Sequence, residues 1–103
     1  MENMVKLNGL LNSDKPVLVE FFATWCPHCQ RMKPVLDKVE RRSKAGLKIE
    51  RFDIDAPANA SLIDYYKIQS VPTMLLFHKG EQVWRKSGEI AADQLEDIIG
   101  SYE

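Results

Sequence analysis

The stretch from Val17 to Cys29 constrains the fold more than any other part of the chain. It joins a nearly continuous apolar run, VLVEFF, to the motif WCPHC, and the residues that follow have helical periodicity. An apolar run of this length is typical of a strand that is covered on both faces. If this strand delivers Cys26 to the first turn of a helix, the two cysteine sulfurs lie on nearly one face and can close a small disulfide ring.

The chemistry expected of Cys26 follows from its place at the start of a helix. The unpaired N–H groups and the partial positive charge there favour a thiolate over a thiol. Pro27 suits the first helical position, where no N–H is needed. His28 lies in the same turn, and as a donor or a cation near the sulfur it would favour the thiolate further. A stabilised thiolate makes the disulfide a stronger oxidant, so we assign redox tuning to Pro27 and His28.

A CxxC pair has two other interpretations, half of a zinc site or a structural disulfide. Zinc usually takes four ligands, but this chain has only two cysteines and two histidines. The second histidine, His78, is far from the motif and lies at a turn signal, where we predict an exposed residue. Cys26 and Cys29 are therefore predicted to be redox-active, with no metal and no cofactor.

Glu20 is the only charged residue in the apolar run before the dithiol. A carboxyl group in a covered strand is expected to be neutral or partnered, with a raised pKa if its surroundings are dry. The alternative is that Glu20 reaches solvent at one end of the sheet. Its place just before the two cysteines favours a functional base.

Length and charge limit the functions that the chain can have. It has 103 residues, of which 45% are hydrophobic, and a net charge of −1, which predicts one domain over residues 1–103. No basic block or basic–aromatic stripe indicates nucleic-acid binding. The apolar runs are too short to span a bilayer, and the first residues do not resemble a signal peptide. We expect a monomer in the cytoplasm, with the periplasm as the alternative if a signal peptide was removed.

The remaining periodicities predict a chain that alternates helices and strands. The expected order is helix, strand, helix, strand, helix, strand, strand, helix. The predicted segments are a helix over 4–12, a strand over 17–22, a helix from the dithiol to a stop at 46, a strand over 47–54, a helix over 59–66, strands over 70–77 and 82–87, and a last helix over 92–102. Strand–helix–strand units imply parallel pairing, and the closing hairpin adds an antiparallel edge.

The second strand shows a change of phase that bears on the site. Leu47 and Ile49 are predicted on one face of the sheet, whereas Phe52 and Ile54 are predicted on the other. The result is an α/β chain with a mixed central sheet. Its active end is expected where the first strand runs into the dithiol helix.

From about Lys15 onward, the chain resembles the thioredoxin family. The resemblance is carried by PVLVEFFATWC, which ends at Cys26, by Pro34 inside the next helix, by the pair ID at 54–55, by VPT at 71–73, and by Gly88. It implies the thioredoxin fold, with a mixed sheet of four or five strands flanked by helices. In that family the proline matching position 72 has a cis peptide bond and faces the dithiol.

The resemblance also implies roles for the residues at matching positions. Cys26 would be the nucleophile, Cys29 the resolving thiol, and Glu20 the buried acid that shuttles the second proton. The substrate groove would be bordered by Trp25, Val71, Pro72 and Gly88, with the backbone of residue 71 offered to an incoming polypeptide. The implied function is a protein thiol–disulfide oxidoreductase that acts on protein disulfides and takes electrons from a thioredoxin-reductase-type donor.

Three features depart from the family pattern. Thioredoxins usually carry Asp where this chain has Glu20, and Gly-Pro where it has Pro27-His28. The latter pair resembles the disulfide-introducing oxidases of the bacterial periplasm, although the chain has no room for their inserted helical domain. The segment before Cys26 is also short, so the first strand of the family is expected to be missing. We predict a reduction potential above that of ordinary thioredoxin.

Three alternatives stay open at this point. One is a disulfide-introducing oxidase or isomerase, which the CPHC motif favours. Another is a glutaredoxin-like reductase, although the Gly-Gly pair and acidic residues that this family uses for glutathione are missing after Pro72. The third is a module that binds a partner through the active-site groove, although the intact dithiol argues against binding as its sole role.

Overall fold

The computed structural model describes residues 2–44 and 46–102, which form four helices and four strands. The elements are α1 (Glu2–Leu11), β1 (Val17–Phe22), α2 (Pro27–Arg42), β2 (Lys48–Asp53), α3 (Ala60–Tyr65), β3 (Thr73–His78), β4 (Glu81–Ser87) and α4 (Ala92–Gly100). A short 3-10 turn over Pro57–Asn59 precedes α3. The predicted order of helices and strands is confirmed, and the ends differ from the prediction by a few residues.

The four strands form one mixed sheet in the order β2-β1-β3-β4. β1 runs parallel to β2 and antiparallel to β3, and β3 pairs with β4 in an antiparallel hairpin. This confirms the predicted mixed sheet and sets its size at four strands. Among the described residues no strand precedes β1, as the short N-terminal segment predicted.

The β3–β4 hairpin corrects one prediction, the turn assigned to His78. His78 is the last residue of β3 and is half-buried, with its ring centroid 6.0 Å from that of Tyr102. The turn consists of Lys79 and Gly80, whose φ angles of +54° and +84° match the two-residue turn that suits the twist of a hairpin. Because this turn needs only two residues, β3 extends one residue further than its apolar pattern indicates.

Each face of the sheet is covered by two helices, because side chains alternate along a strand. Val17, Val19 and Phe21 point from β1 into a core with α1 and α3. Leu18 points into the opposite core, which α2 and α4 close. β1 is therefore buried on both faces, as its continuous apolar run predicted, and its C-terminal end leads directly to the dithiol.

The predicted phase change in β2 is confirmed. Ile49 packs with the core under α2 and α4, whereas Phe52 belongs to the core under α1 and α3. By the same alternation Arg51 follows Ile49 on the α2 face, where it lies beside Glu20 in the parallel β1–β2 register. The strand that closes one edge of the sheet thus brings a cation under the dithiol helix.

Candidate active site

Three segments meet at the C-terminal end of β1. The first carries Trp25 and Cys26 into α2, with the Cys26 N–H donating to the Ala23 carbonyl at 3.2 Å. The second is the Val71–Pro72 peptide before β3, which is cis. The third contains Gly88, whose N–H donates to the Pro72 carbonyl at 2.8 Å. The residues that the resemblance assigned to one site are thus brought together, and the cis bond it implied is confirmed.

Cys26 is the N-cap residue of α2. Its Sγ accepts a hydrogen bond from the N–H of Cys29, with 3.2 Å between N and Sγ, and Pro27 occupies the first turn as predicted. The sulfur also lies 3.8 Å from the carbonyl oxygen of Val71. Only 3% of Cys26 is exposed. A donor N–H and the positive end of the helix dipole both face this atom.

Cys29 is buried beneath Cys26 in a different electrostatic setting. Burial raises the pKa of its thiol to about 12, aided by the hydrogen bond with Cys26 and by the negative charges of Cys26 and Glu20. Cys29 is therefore protonated near neutral pH and needs a base before it can attack. One base lies close enough to influence this pKa, since the Glu20 carboxylate is among the charges that raise it.

Glu20 is almost completely buried on the α2 side of β1, with 2% of the residue exposed. Burial raises the pKa of its carboxyl group to about 7, although the charge of Arg51 acts in the opposite direction. The nearest approach to Arg51 is 3.7 Å, from Oε1 to Nε, and Oε2 has no hydrogen-bond partner among the described residues. Glu20 therefore has both the predicted raised pKa and a charged neighbour. The alternative that it reaches solvent is wrong.

Arg51 is a site residue that the sequence analysis missed. Its Nη2 donates to Oδ1 of Asp37 at 3.0 Å and to the carbonyl of Lys33 at 3.4 Å, so α2 holds the guanidinium in place. The signal was available in the β2 alternation, because a residue in phase with Ile49 must face α2. The alternation does not predict that Arg51 lies beside Glu20, because this depends on the parallel β1–β2 register.

Two open cavities flank the dithiol. One, of about 360 Å³, connects the buried acid to the surface and is lined by Glu20, Phe22, Ala23, Thr24, Cys29, Gln30, Lys33 and Arg51. The other, of about 450 Å³, is a groove beside Cys26 that includes Trp25, Val71 and the apolar side chains Ile54, Ile63 and Ile68. The Trp25 indole is 65% exposed, and its Nε1 donates to Oδ2 of Asp55 at 2.8 Å. The first cavity thus lies beside Glu20 and Cys29, and the second lies beside Cys26.

His28 does not make the contact with sulfur that its sequence position suggested. Its Nδ1 lies 2.6 Å from Oε2 of Glu89 and 2.8 Å from Nη2 of Arg31. In residues 2–44 and 46–102 no hydrogen bond joins His28 to either cysteine sulfur. Glu89 follows Gly88, so the loop after β4 reaches across the start of α2. Tuning by His28 stays a prediction, and it now depends on charge rather than on direct donation.

The described part of the chain contains no group of three or more His, Cys, Asp or Glu side chains placed to hold a metal ion. None of its helices combines the length and the apolar character that crossing a bilayer requires.

Comparison with known proteins identifies the family. The thioredoxin family model matches residues 5–101. This chain belongs to the thioredoxin family. It carries the two-cysteine motif of a thioredoxin-like thiol–disulfide oxidoreductase, and the predicted family and fold are confirmed.

Relatives and a solved structure agree with this assignment. The chain is 45% identical over 86 residues to thioredoxin Y1, chloroplastic, of Arabidopsis thaliana, a match that covers 84% of this chain and 49% of the relative. It is 38% identical over 79 residues to the bifunctional thioredoxin reductase/thioredoxin of Mycobacterium leprae, covering 77% and 17%. The chain thus spans about half the length of the plant relative.

Among solved structures, a mutant thioredoxin from Halobacterium salinarum superimposes with a TM-score of 0.85 and 33% sequence identity. The match covers 95% of this chain and 83% of that one. The mixed sheet with helices on both faces is therefore shared over almost all of this chain.

Proposed function

We propose that this thioredoxin-family domain reduces disulfide bonds in proteins through a mixed disulfide with Cys26. The observation that carries the proposal is the placement of the Cys26 sulfur. It accepts the Cys29 N–H at the start of α2 and borders a groove beside Val71. In the first step the Cys26 thiolate attacks one sulfur of the substrate disulfide. A Cys26–substrate disulfide forms, and the other substrate sulfur leaves as a thiolate that takes up a proton.

In the second step Cys29 releases the substrate. Glu20 accepts the proton of the Cys29 thiol, and the resulting thiolate attacks the Cys26 sulfur, so that the second substrate sulfur leaves. Formation of the mixed disulfide removes the Cys26 charge, which is one of the causes of the high Cys29 pKa. The transfer to Glu20 is therefore easier at this stage than in the resting dithiol. Two electrons pass to the substrate, and the chain is left with a Cys26–Cys29 disulfide.

The groove suits an extended polypeptide segment. Val71 lies outside the strand ladder, so its backbone is available to an added strand beside the dithiol. Trp25 lines this groove. Gly88 is not one of its lining residues, but it is bonded to the Pro72 carbonyl and has a φ of +95° that a side chain at this position would strain. These contacts support protein disulfides as the substrates, and we expect the chain to act as a monomer.

A reductase of the thioredoxin-reductase type is the proposed electron donor. The Mycobacterium leprae relative is named a bifunctional thioredoxin reductase/thioredoxin, which joins the two activities in one chain. We propose that this reduction of protein substrates takes place in the cytoplasm. The Pro27-His28 pair supports a reduction potential between those of thioredoxin, at about −270 mV, and the periplasmic oxidase, at about −120 mV.

A trapping experiment with a disulfide-containing protein such as insulin tests this function. The wild type with a dithiol reductant is expected to reduce insulin catalytically, and Cys29→Ser to accumulate a mixed disulfide, because no thiol resolves it. Cys26→Ser and Cys26→Ser/Cys29→Ser are expected to form no such adduct. If the wild type does not reduce insulin and the double variant still binds a protein partner normally, the chain is a binding module rather than an enzyme.

The role of Glu20 is tested by the resolving step alone. Glu20→Gln is expected to slow substrate release by about a hundredfold at neutral pH, since a positioned base typically contributes a factor of this size. Formation of the mixed disulfide is expected to keep its rate. Glu50→Gln is the matched control, because Glu50 lies on β2 and pairs with Lys6 away from the dithiol. Equal release rates in both variants would remove Glu20 from the mechanism.

A further inference from the structure

An exposed charge cluster lies on the rim of the active site, and neither the family resemblance nor the proposed mechanism uses it. It consists of His28 and Arg31 in the first turns of α2 and Glu89 in the loop after β4. Arg31 donates from Nε to both Glu89 oxygens, at 3.2 and 3.0 Å, and from Nη2 to Oε2 at 2.9 Å. One carboxylate therefore faces both basic side chains that α2 presents beside Cys26.

The two contacts of His28 Nδ1 cannot both be hydrogen bonds at the same time. An N–H at Nδ1 donates to Glu89 but opposes the N–H of Arg31, whereas a lone pair accepts from Arg31 but opposes the carboxylate. In either state the carboxylate of Glu89 remains beside the imidazole. Its negative charge is fixed, because hydrogen bonds from Arg31 and His28 lower the pKa of Glu89 to about 2.

The cluster is electrically coupled to the dithiol. The charge of Cys26 is among the causes that raise the pKa of the Arg31 guanidinium, after the hydrogen bond and charge of Glu89. His28 lines the same groove as Cys26, and Arg31 lies in the first turns of the helix that Cys26 caps, so Glu89 places its negative charge near the dithiol. A stabilised thiolate favours the reduced dithiol and raises the reduction potential.

We propose that Glu89 is a positioning residue that lowers the reduction potential of the Cys26–Cys29 pair. It neutralises Arg31 and holds His28 on the rim, away from the sulfur. The inference rests on the proposed redox function and deepens it. The CPHC sequence favours an oxidising pair, and Glu89 limits this tendency. Among the described residues, neither Glu20 nor Asp55 forms a hydrogen bond or an ion pair with Glu89.

The test is the equilibrium of the full chain with reduced and oxidised glutathione. Glu89→Gln is expected to shift the equilibrium constant about three- to tenfold toward the reduced dithiol, where tenfold corresponds to about 30 mV. Glu89→Asp keeps the charge and is expected to remain near the wild type. Arg31→Met is expected to shift the constant in the opposite direction. A charge effect also predicts that the Glu89→Gln shift becomes smaller in 1 M salt.

The matched control is Glu96→Gln. Glu96 is also an exposed carboxylate bonded to an arginine of α2, but its partner is Arg42 in the last turn, at 3.2 Å. A Glu89→Gln shift no larger than that of Glu96→Gln would overturn the inference, as would equal shifts in Glu89→Asp and Glu89→Gln. If the wild type reaches equilibrium with glutathione in either case, the proposed function stands without it. Failure of the wild type to exchange at all would overturn both.

Discussion

Glu20 and Glu89 are two carboxyl groups on opposite sides of the same dithiol, and each faces an arginine. Their pKa values nevertheless move in opposite directions, to about 7 for Glu20 and to about 2 for Glu89. Glu20 is buried with one oxygen unpartnered among the described residues, whereas Glu89 receives several hydrogen bonds at the surface. An arginine nearby is therefore not enough to fix the charge of a carboxyl group.

The difference comes from the loss of water and from the geometry of each pair. The Glu20–Arg51 approach of 3.7 Å is too long for a hydrogen bond, and Arg51 shares its charge with Asp37. Desolvation then exceeds the attraction. The Arg31–Glu89 contacts are short and lose little hydration. As a result Glu20 can take up and release a proton near neutral pH, whereas Glu89 keeps a constant charge.

The largest expected effect that tests the contrast between Glu20 and Glu89 is a change in the free energy of unfolding with pH. Because folding raises the Glu20 pKa from 4.5 to about 7, the folded state binds more protons between these values. The free energy of unfolding should therefore fall by about 3 kcal/mol as the pH rises from about 4.5 to about 7, and stay level above. Denaturant unfolding of the reduced protein across this range measures it.

Glu20→Gln isolates this contribution, because the variant keeps every other titrating group. Subtracting its stability curve from that of the wild type should leave a single decline centred below neutral pH. Parallel curves for the two proteins would mean that Glu20 titrates as an exposed carboxyl group, and the contrast with Glu89 would be lost.

A smaller effect is expected from Arg51→Met, which keeps much of the side-chain volume but removes the charge. Since Arg51 lowers the pKa of Glu20, its loss should raise the midpoint of the pH dependence of substrate release by about one pH unit. Rapid-mixing measurements of release from the mixed disulfide provide the profile. Arg42→Met, which removes a surface partner of Glu96, is the control and should leave the midpoint in place.

The smallest effect concerns Glu89 itself. Folding lowers its pKa from 4.5 to about 2, so the stability it contributes is present above about pH 4.5 and is lost as the pH falls through about 2. A carboxyl titration by NMR should give this low midpoint at low salt and a higher one in 1 M salt. A midpoint that stays near 4.5 at every salt concentration would mean that Arg31 and His28 do not lower the pKa of Glu89, and the contrast with Glu20 would be lost.

Much of the fold and half of the site were predictable because they depend on local pattern. The apolar run of β1, Pro27 at the start of α2 and the spacing of Cys26 and Cys29 each predict a structure without a distant partner. The turn assigned to His78 was wrong, since the length of β3 depends on a two-residue turn with positive φ angles rather than on its apolar residues.

The sequence alone determined that a redox-active dithiol follows a buried strand and that a carboxyl group lies in this strand. The tertiary structure decided what surrounds them. The β1–β2 register brings Arg51 to Glu20, and the loop after β4 brings Glu89 to His28. The partners in each of these pairs lie far apart in the chain, on different elements. Periodicity describes the face on which a residue lies, but electrostatics depends on distances that only packing creates.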